Sequence, residues 1–357
     1  MIKQRGSVII IVLWTAVLLT VLVTAMAAQV RLSAQTVMNN HESATQWSAL
    51  MATVRQAEAE IMYEFMPDPI GEQLPTNAEG ELREQRYRFN GQSLELAYAQ
   101  EPDIVVRVYN HSGKINLTRI RRQRMRAILE KRLGGPQAAD QDRVDELLAA
   151  WVDWTDLNEL IDPSGDGAEN DYYESLEPGF TPRNNPELDT VEELLLVRGF
   201  AEVFAGVNLD AAFTVHGNEQ SINLNLATRE AMQLLPGLTD ELIERIIAFR
   251  EYEDINNRQE IAEIIPYENL LELTSWLGNS YSTHYSVFAY PAVELEAAAA
   301  DAAPQWDNPD PVTRAYMEII EVRSYDSLPR VLKVEPYGRL PDTAPARVAL
   351  EDLPFVL

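Results

Sequence analysis

The first thirty residues and the next thirty-five follow different hydrophobic patterns. From Ser7 to Val30 the chain reads SVIIIVLWTAVLLTVLVTAMAAQV and carries no charge. At 1.5 Å per residue this run is long enough to cross a hydrocarbon core of about 30 Å as a helix. Beyond it Trp47, Leu50, Met51, Val54, Ile61 and Phe65 recur every three to four residues as one apolar stripe, until Pro67 and Pro69 end the pattern. The spacing predicts one helix over 7–66, apolar all round in its first half and amphipathic in its second. A cleaved signal peptide with Ala25-Met26-Ala27 at the cut is the rival reading. The apolar run exceeds the usual signal core of roughly 7–15 residues, and the helical pattern continues through the proposed cut.

Alternation follows, at Tyr87–Phe89, Leu94–Tyr98 and Ile104–Tyr109, with Asn90-Gly91 as a hairpin-turn signal between the first two. From about Lys114 to Gly278 the period becomes helical, in segments such as DRVDELLAAWVDWT and TDELIERIIAFREY. Strand-like patterning returns at His284–Tyr290, Thr313–Val322 and Val331–Val334. The expected fold class is therefore α+β. A long N-terminal helix leads into an antiparallel sheet built from residues 82–112 and 280–336, and an all-α insertion fills 113–279. Within the insertion GKINLTR (113–119) is echoed by QSINLNLATRE (220–230). This predicts two small helical subdomains, about 113–206 and 220–279. The stretch ELEAAAADAAPQWDNPDPV reads as an exposed excursion, and a proline-rich tail over 337–357 as loosely ordered.

Charge narrows the partners. A net charge of -27 repels nucleic acid and anionic lipid surfaces. Ile222–Glu251 has the outline of a helix-hairpin-helix unit. Thr239 stands where its DNA-binding form usually has a second glycine, and Asp240, Glu241 and Glu244 surround the turn. A protein-interacting, sterile-alpha-motif-like unit is the preferred reading, and no nucleic-acid partner is expected. Cysteine is absent, which removes disulfides and thiolate chemistry. His41, His111, His216 and His284 occur singly, without metal-ligand spacing, and no nucleophile or phosphate-binding motif appears. An enzyme is not expected.

The acidic loop Val152–Pro186 is the most informative stretch beyond the first helix. Asp153, Asp156, Asp162, Asp166, Glu169 and Asp171 crowd a segment bent at Gly165 and Gly167. Hard oxygen ligands on a glycine-bent loop suit Ca²⁺, which takes about 6–8 oxygens in flexible geometry. The spacing is not that of an EF-hand, and a solvated acidic loop accounts for the same residues.

The leader KQRGS, the uncharged helix and its amphipathic extension resemble the prepilin class, which includes type IV pilins and the pseudopilins of type II secretion. The resemblance implies cleavage after Gly6, methylation of Ser7, and export of all that follows the membrane span at 7–30. Lys3 and Arg5 keep the N-terminus cytoplasmic. Most members of the class carry glutamate as the fifth mature residue, where this chain has Ile11. A glutamate in lipid needs a partner, which the resemblance identifies as the neighbouring subunit's N-terminus. A subunit without it belongs at the filament tip. GAENDYYESLEPGFTPRNNPELDTVEELLLVRG (167–199) is similar to the signature region of the K-class minor pseudopilins. That resemblance implies an inner-membrane subunit with a periplasmic head, calcium in the α-domain, and partners in the I- and J-class minor pseudopilins, the pseudopilus and the inner-membrane assembly platform. A type IV minor pilin and a membrane-tethered DNA-binding protein are the alternative functions.

Overall fold

The computed structural model describes residues 7–66, 89–94, 96, 104–182, 185–255, 257–291 and 314–341. The leader at 1–6, the prolines after the first helix, most of the expected strand at Leu94–Tyr98, the excursion before residue 314 and the tail from residue 342 lie outside them. The chain divides into two compact units, Met1–Ala52 and Thr53–Leu357.

The first unit is helical from Ser7, and the helix α1 (Ser7–Tyr63) passes unbroken through Ala25-Met26-Ala27. Its apolar residues from Ile9 to Val30 are exposed. It is the one helix among the described residues long and apolar enough to cross a membrane. The hydroxyls there are satisfied internally: Thr15 Oγ1 donates to the Val12 carbonyl (2.9 Å), and Thr20 and Thr24 to those of Ala16 and Thr20 (2.8 Å each). A polar side chain that returns its proton to its own helix is tolerated in lipid.

In the second unit the last turns of α1 bury Val54, Ala57 and Ile61. The stripe is narrower than the sequence suggests, since Trp47, in the first unit, is half exposed. The sheet runs β1 (Asn90–Ser93), β2 (Ile104–Asn110), β5 (His284–Pro291), β6 (Arg314–Glu321) and β7 (Arg330–Arg339), in that spatial order and antiparallel throughout. Two expectations change. Asn90-Gly91 is not a hairpin turn but lies inside β1, at an irregularity in its register with β2. The last strand continues through Gly338 to Arg339, where the loosely ordered tail was expected to have begun.

The insertion leaves and returns at one end of the sheet, since Asn110 pairs with Tyr285 in the β2–β5 register. The fully buried Asn110 side chain ties the two crossings together. Its Oδ1 accepts from the amides of Ser112 (2.9 Å) and Ser282 (3.0 Å), and its Nδ2 donates to the Ser282 carbonyl (2.8 Å). Short helices then pack around one apolar core that includes Ile128, Leu147, Trp151, Phe200, Met232 and Ile246. The insertion is not all-α. β3 (Ile115–Asn116) pairs in parallel with β4 (Phe213–Thr214), and Ile222 makes a parallel bridge to Leu277.

These two pairings give the faint repeat a physical form. Ile115-Asn116-Leu117 and Ile222-Asn223-Leu224 each open a half of the insertion and pair with the segment that closes it. Asn116 Oδ1 accepts from the Thr118 amide (3.0 Å), and Asn223 Oδ1 from the Asn225 amide (3.1 Å). Asn116 Nδ2 donates to the His216 carbonyl, three residues beyond Phe213. Asn223 Nδ2 donates to the Ser280 carbonyl, three beyond Leu277. One asparagine device closes both halves.

Candidate functional site

The acidic loop begins on α3 (Gln141–Thr155), capped at its start by Asp140, whose side chain accepts from the Asp142 amide. α3 buries Val144, Leu147, Leu148, Trp151 and Trp154, and the same face carries Asp153 inside with them. Asp153 is fully buried. Its Oδ1 accepts from the Asp162 amide (2.8 Å), while Oδ2 has no hydrogen-bond partner. The chain passes so close to Oδ2 at Gly167 that a Cβ there would lie 1.8 Å from it, so a larger residue would displace the Asp153 carboxylate.

Glu169 stands just before α4 (Asn170–Glu174) without capping it. It is only 7% exposed, and neither carboxylate oxygen has a partner. Burial, then the charges of Asp153, Asp156 and Glu159, push its carboxyl up to about 7. Burial also raises Asp153, opposed by the backbone amides of Asp162 and Ala168 and aided by the charges of Asp156 and Asp162. Three orphaned oxygens on two adjoining buried carboxylates are costly unless a cation or protons neutralise them.

The six residues singled out from the sequence thus separate. Asp153, Asp156 and Glu169 interact, with the Asp156 side chain accepting from Asn158 (Oδ2 to Nδ2 2.7 Å) at the end of α3. Asp162 turns to Arg122, which donates from Nη1 (2.7 Å) and Nη2 (3.0 Å) and holds its carboxyl down at about 2. Asp166 is exposed and faces Arg198 at 3.5 Å. Asp171 is exposed in the first turn of α4. Glu159, absent from the expected set, joins the field at Glu169; its three-residue spacing from Asp156 and Asp153 was the available signal. The donor set of Asp153, Glu169 and Asp156 is all carboxylate oxygen and fits a hard cation.

Among the described residues one group of three carboxylates already converges within 4.8 Å: Glu192, Asp210 and Glu335. A protein cation fills it. Lys333 Nζ lies 3.0, 3.1 and 3.5 Å from the three.

Two further readings of the sequence are altered. The histidines are not isolated, because the fold gathers His111, His216 and His284 with ring centroids 5.8–6.2 Å apart. The hairpin turn between α7 (Arg229–Leu234) and α8 (Asp240–Tyr252) is covered by α10 (Tyr267–Leu273). Asn269 Nδ2 donates to the Gly237 carbonyl (2.7 Å), and a Cβ on Gly237 would meet the Asn269 carbonyl at 2.6 Å. The glycine serves packing within the insertion.

An apolar N-terminal helix long enough for a single membrane pass, an antiparallel sheet and a helical insertion give the chain the α+β order expected of the pilin-like class. Residues 113–205, the first half of the insertion with the acidic loop inside it, match the family model "Type II secretion system (T2SS), protein K". The match supports a likeness to protein K of type II secretion, whose family is a structural pseudopilin. Among solved structures, a chain of the GspK-GspI-GspJ complex from the type 2 secretion system of enterotoxigenic Escherichia coli is similar. The two share 11% identity, with 84% of this chain and 98% of that chain covered and a TM-score of 0.46. No curated protein matches the sequence.

Proposed function

We propose that this subunit caps the tip of the type II secretion pseudopilus and nucleates its assembly with I- and J-class minor pseudopilins. The observation that carries the reading is Ile11. It lies in the first turns of an exposed apolar helix that has no acid from Ser7 to His41. A subunit anchored this way offers no carboxylate to the N-terminus of a subunit above it, so it closes the filament. Lys3 and Arg5 orient the span with the N-terminus in the cytoplasm and the head in the periplasm. Prepilin peptidase cuts between Gly6 and Ser7, and Ser7 is then methylated. The anchor keeps the subunit in inner-membrane lipid beside the assembly platform until the filament starts.

Asp153 and Glu169, with Asp156 beside them, hold Ca²⁺ in the same reading. The ion supplies the positive charge that these carboxylates lack, and the chain supplies their fixed spacing at the end of α3. Support comes from the three unpartnered oxygens.

Co-purification of the full chain from detergent-solubilised membranes tests the tip assignment. I- and J-class partners are expected; recovery of the major pseudopilin alone refutes it. Ile11→Glu restores an acid at the fifth mature position. It should let the subunit cross-link to a neighbour above it, and an unchanged cross-linking pattern would count against the role given to Ile11.

A further inference from the structure

We propose that the groove between α2 (Arg122–Arg132) and the segment around Trp276 binds an acidic, extended peptide segment of a partner protein, with Arg121 and Lys131 holding carboxylates at its two ends. The groove has a volume of about 570 Å³, within the ordinary range for ligand sites of roughly 300–1,000 Å³. Arg121, Arg124, Ala127 and Lys131 line it from the side of α2, and Pro236, Glu272 and Trp276 from the opposite side.

The charges here run against the rest of the chain. The net charge is -27, yet residues 119–132 hold seven Lys and Arg against one acid, Glu130. Away from the groove Arg122 pairs with Asp162 (2.7 Å) and Arg126 with Asp145. Among the described residues no carboxylate pairs with Arg121, Arg124 or Lys131. Arg121 Nη2 donates to Gln220 Oε1 (3.3 Å), Arg124 to the Gln220 and Ser275 carbonyls, and Lys131 to the Leu238 carbonyl. Neutral acceptors orient these cations without balancing their charge. Arg124 is fixed further by the Trp276 ring, whose centroid lies 5.1 Å from its guanidinium carbon. Burial, then the charge of Arg121, lowers Arg124, and burial lowers Lys131 against the opposing charges of Asp240 and Glu272. α2 starts without a side-chain cap or an acid in its first turn, so Arg121, Arg122 and Arg124 stand at the positive end of its dipole. An anionic occupant offsets each of these costs.

Spacing selects the kind of anion. Arg121 and Lys131 are about 15 Å apart along the helix, the span of roughly four to five residues of extended chain. Glu130 and Glu272 also line the groove. A nucleic-acid strand, with a phosphate every few ångströms, would meet both of them. A peptide can instead set two carboxylates at that separation and present neutral residues to Ala127 in between.

Anisotropy of a fluorescein-labelled peptide, with two aspartates five positions apart separated by leucine and proline, is measured on the full chain in neutral detergent. Binding should weaken at least tenfold from low to high salt, a reading that needs no variant. It should weaken at least fivefold in Arg121→Gln and in Lys131→Met, and stay unchanged in Arg323→Gln, which lies outside the groove. Arg121 is exposed, so its replacement leaves the packing of the insertion intact. The matched peptide with asparagines should not bind. Absence of binding in the wild type, equal binding of the asparagine peptide, or binding retained in either groove variant overturns the proposal. So does tighter binding of a single-stranded oligonucleotide, or self-association of the wild type that Arg121→Gln abolishes, since each gives the groove a different occupant.

Discussion

Glu169→Gln should change stability in opposite directions with and without calcium. In EDTA the wild-type carboxyl titrates near 7 in the folded chain against an ordinary value of 4.5. Each pKa unit is worth about 1.4 kcal/mol. Well above neutrality the ionised, buried carboxylate therefore costs the folded state about 3 kcal/mol, an order-of-magnitude figure. The sign follows from the raised value. The group's contribution to stability is present below about 4.5 and is lost as pH rises through about 7. Glutamine keeps the shape and removes the charge, at the expense of burying an amide with imperfect partners, roughly 1–3 kcal/mol. In EDTA the variant should equal or exceed the wild type by up to about 2 kcal/mol near pH 8 and lose that advantage near pH 5.

Calcium reverses the order. An ion that binds the folded chain at about a hundredfold over its Kd adds about 2.7 kcal/mol to the wild type, and the variant forfeits most of this. Denaturant unfolding of the full chain in detergent, at both pH values and with Ca²⁺ or EDTA, measures all four corners. If the variant is equally destabilised in EDTA at both pH values, the buried charge is not what strains this loop. If Ca²⁺ stabilises both chains equally, Glu169 is not a ligand.

Three other outcomes follow from the packing. Glu58 on α1 is pushed up to about 7 by burial beside the fully buried Glu318, whose Oε2 accepts from Tyr316 Oη (2.9 Å). The end of α1 should therefore hold the sheet less well as pH rises through about 7, and Glu58→Gln should flatten the pH dependence of hydrogen exchange over Thr53–Tyr63; an unchanged slope refutes this. Asn116→Ala and Asn223→Ala each remove an acceptor for a turn amide and a donor to the closing segment, so each should cost about 1–3 kcal/mol in denaturant unfolding. A large cost at one and none at the other would deny that the two halves are closed alike. Gly237→Ala combines φ +75° with a close approach to the Asn269 carbonyl and should destabilise the chain by more than about 1 kcal/mol, whereas no effect would mean that α10 does not bear on the turn.

Local patterns were readable where one element carries its own signal. The uncharged run names α1, and alternation finds β5 and β6 to within a residue or two. Two-residue strands such as β3 and β4 are too short for any period, which is why the insertion looked all-α. Asn90-Gly91 misled because the residue pair that suits a turn also suits a strand irregularity: Gly91 sits at φ +92° against the Tyr109 ring. The acidic loop was visible as composition, but its division was not. Arg122 captures Asp162 from 40 residues away. His111, His216 and His284 meet only because three connections cross at one end of the sheet.

The duplicated insertion supplies its own control for the acidic loop. In the second half the long helix α8 ends at Tyr252, and the chain is secured a few residues later by a neutral side chain: Asn225 Oδ1 accepts from the Ile255 amide (2.9 Å), and its Nδ2 donates to the Ile255 carbonyl (3.0 Å). Both functions of that amide are used, and the buried Arg250 beside it donates to the Leu224 (2.8 Å) and Ala227 (2.6 Å) carbonyls. In the first half the long helix α3 ends at Thr155, and the chain makes a far longer excursion before the 3-10 turn at Val191–Leu196. Closing a longer loop costs more entropy, yet the groups at its centre are carboxylates that repel one another, and three of their oxygens lack donors. A purely structural loop had the amide solution available within the same chain. The first half departs from it at the one place where oxygen ligands would serve a cation, so calcium should stabilise the first half and leave the amide-closed second half unaffected.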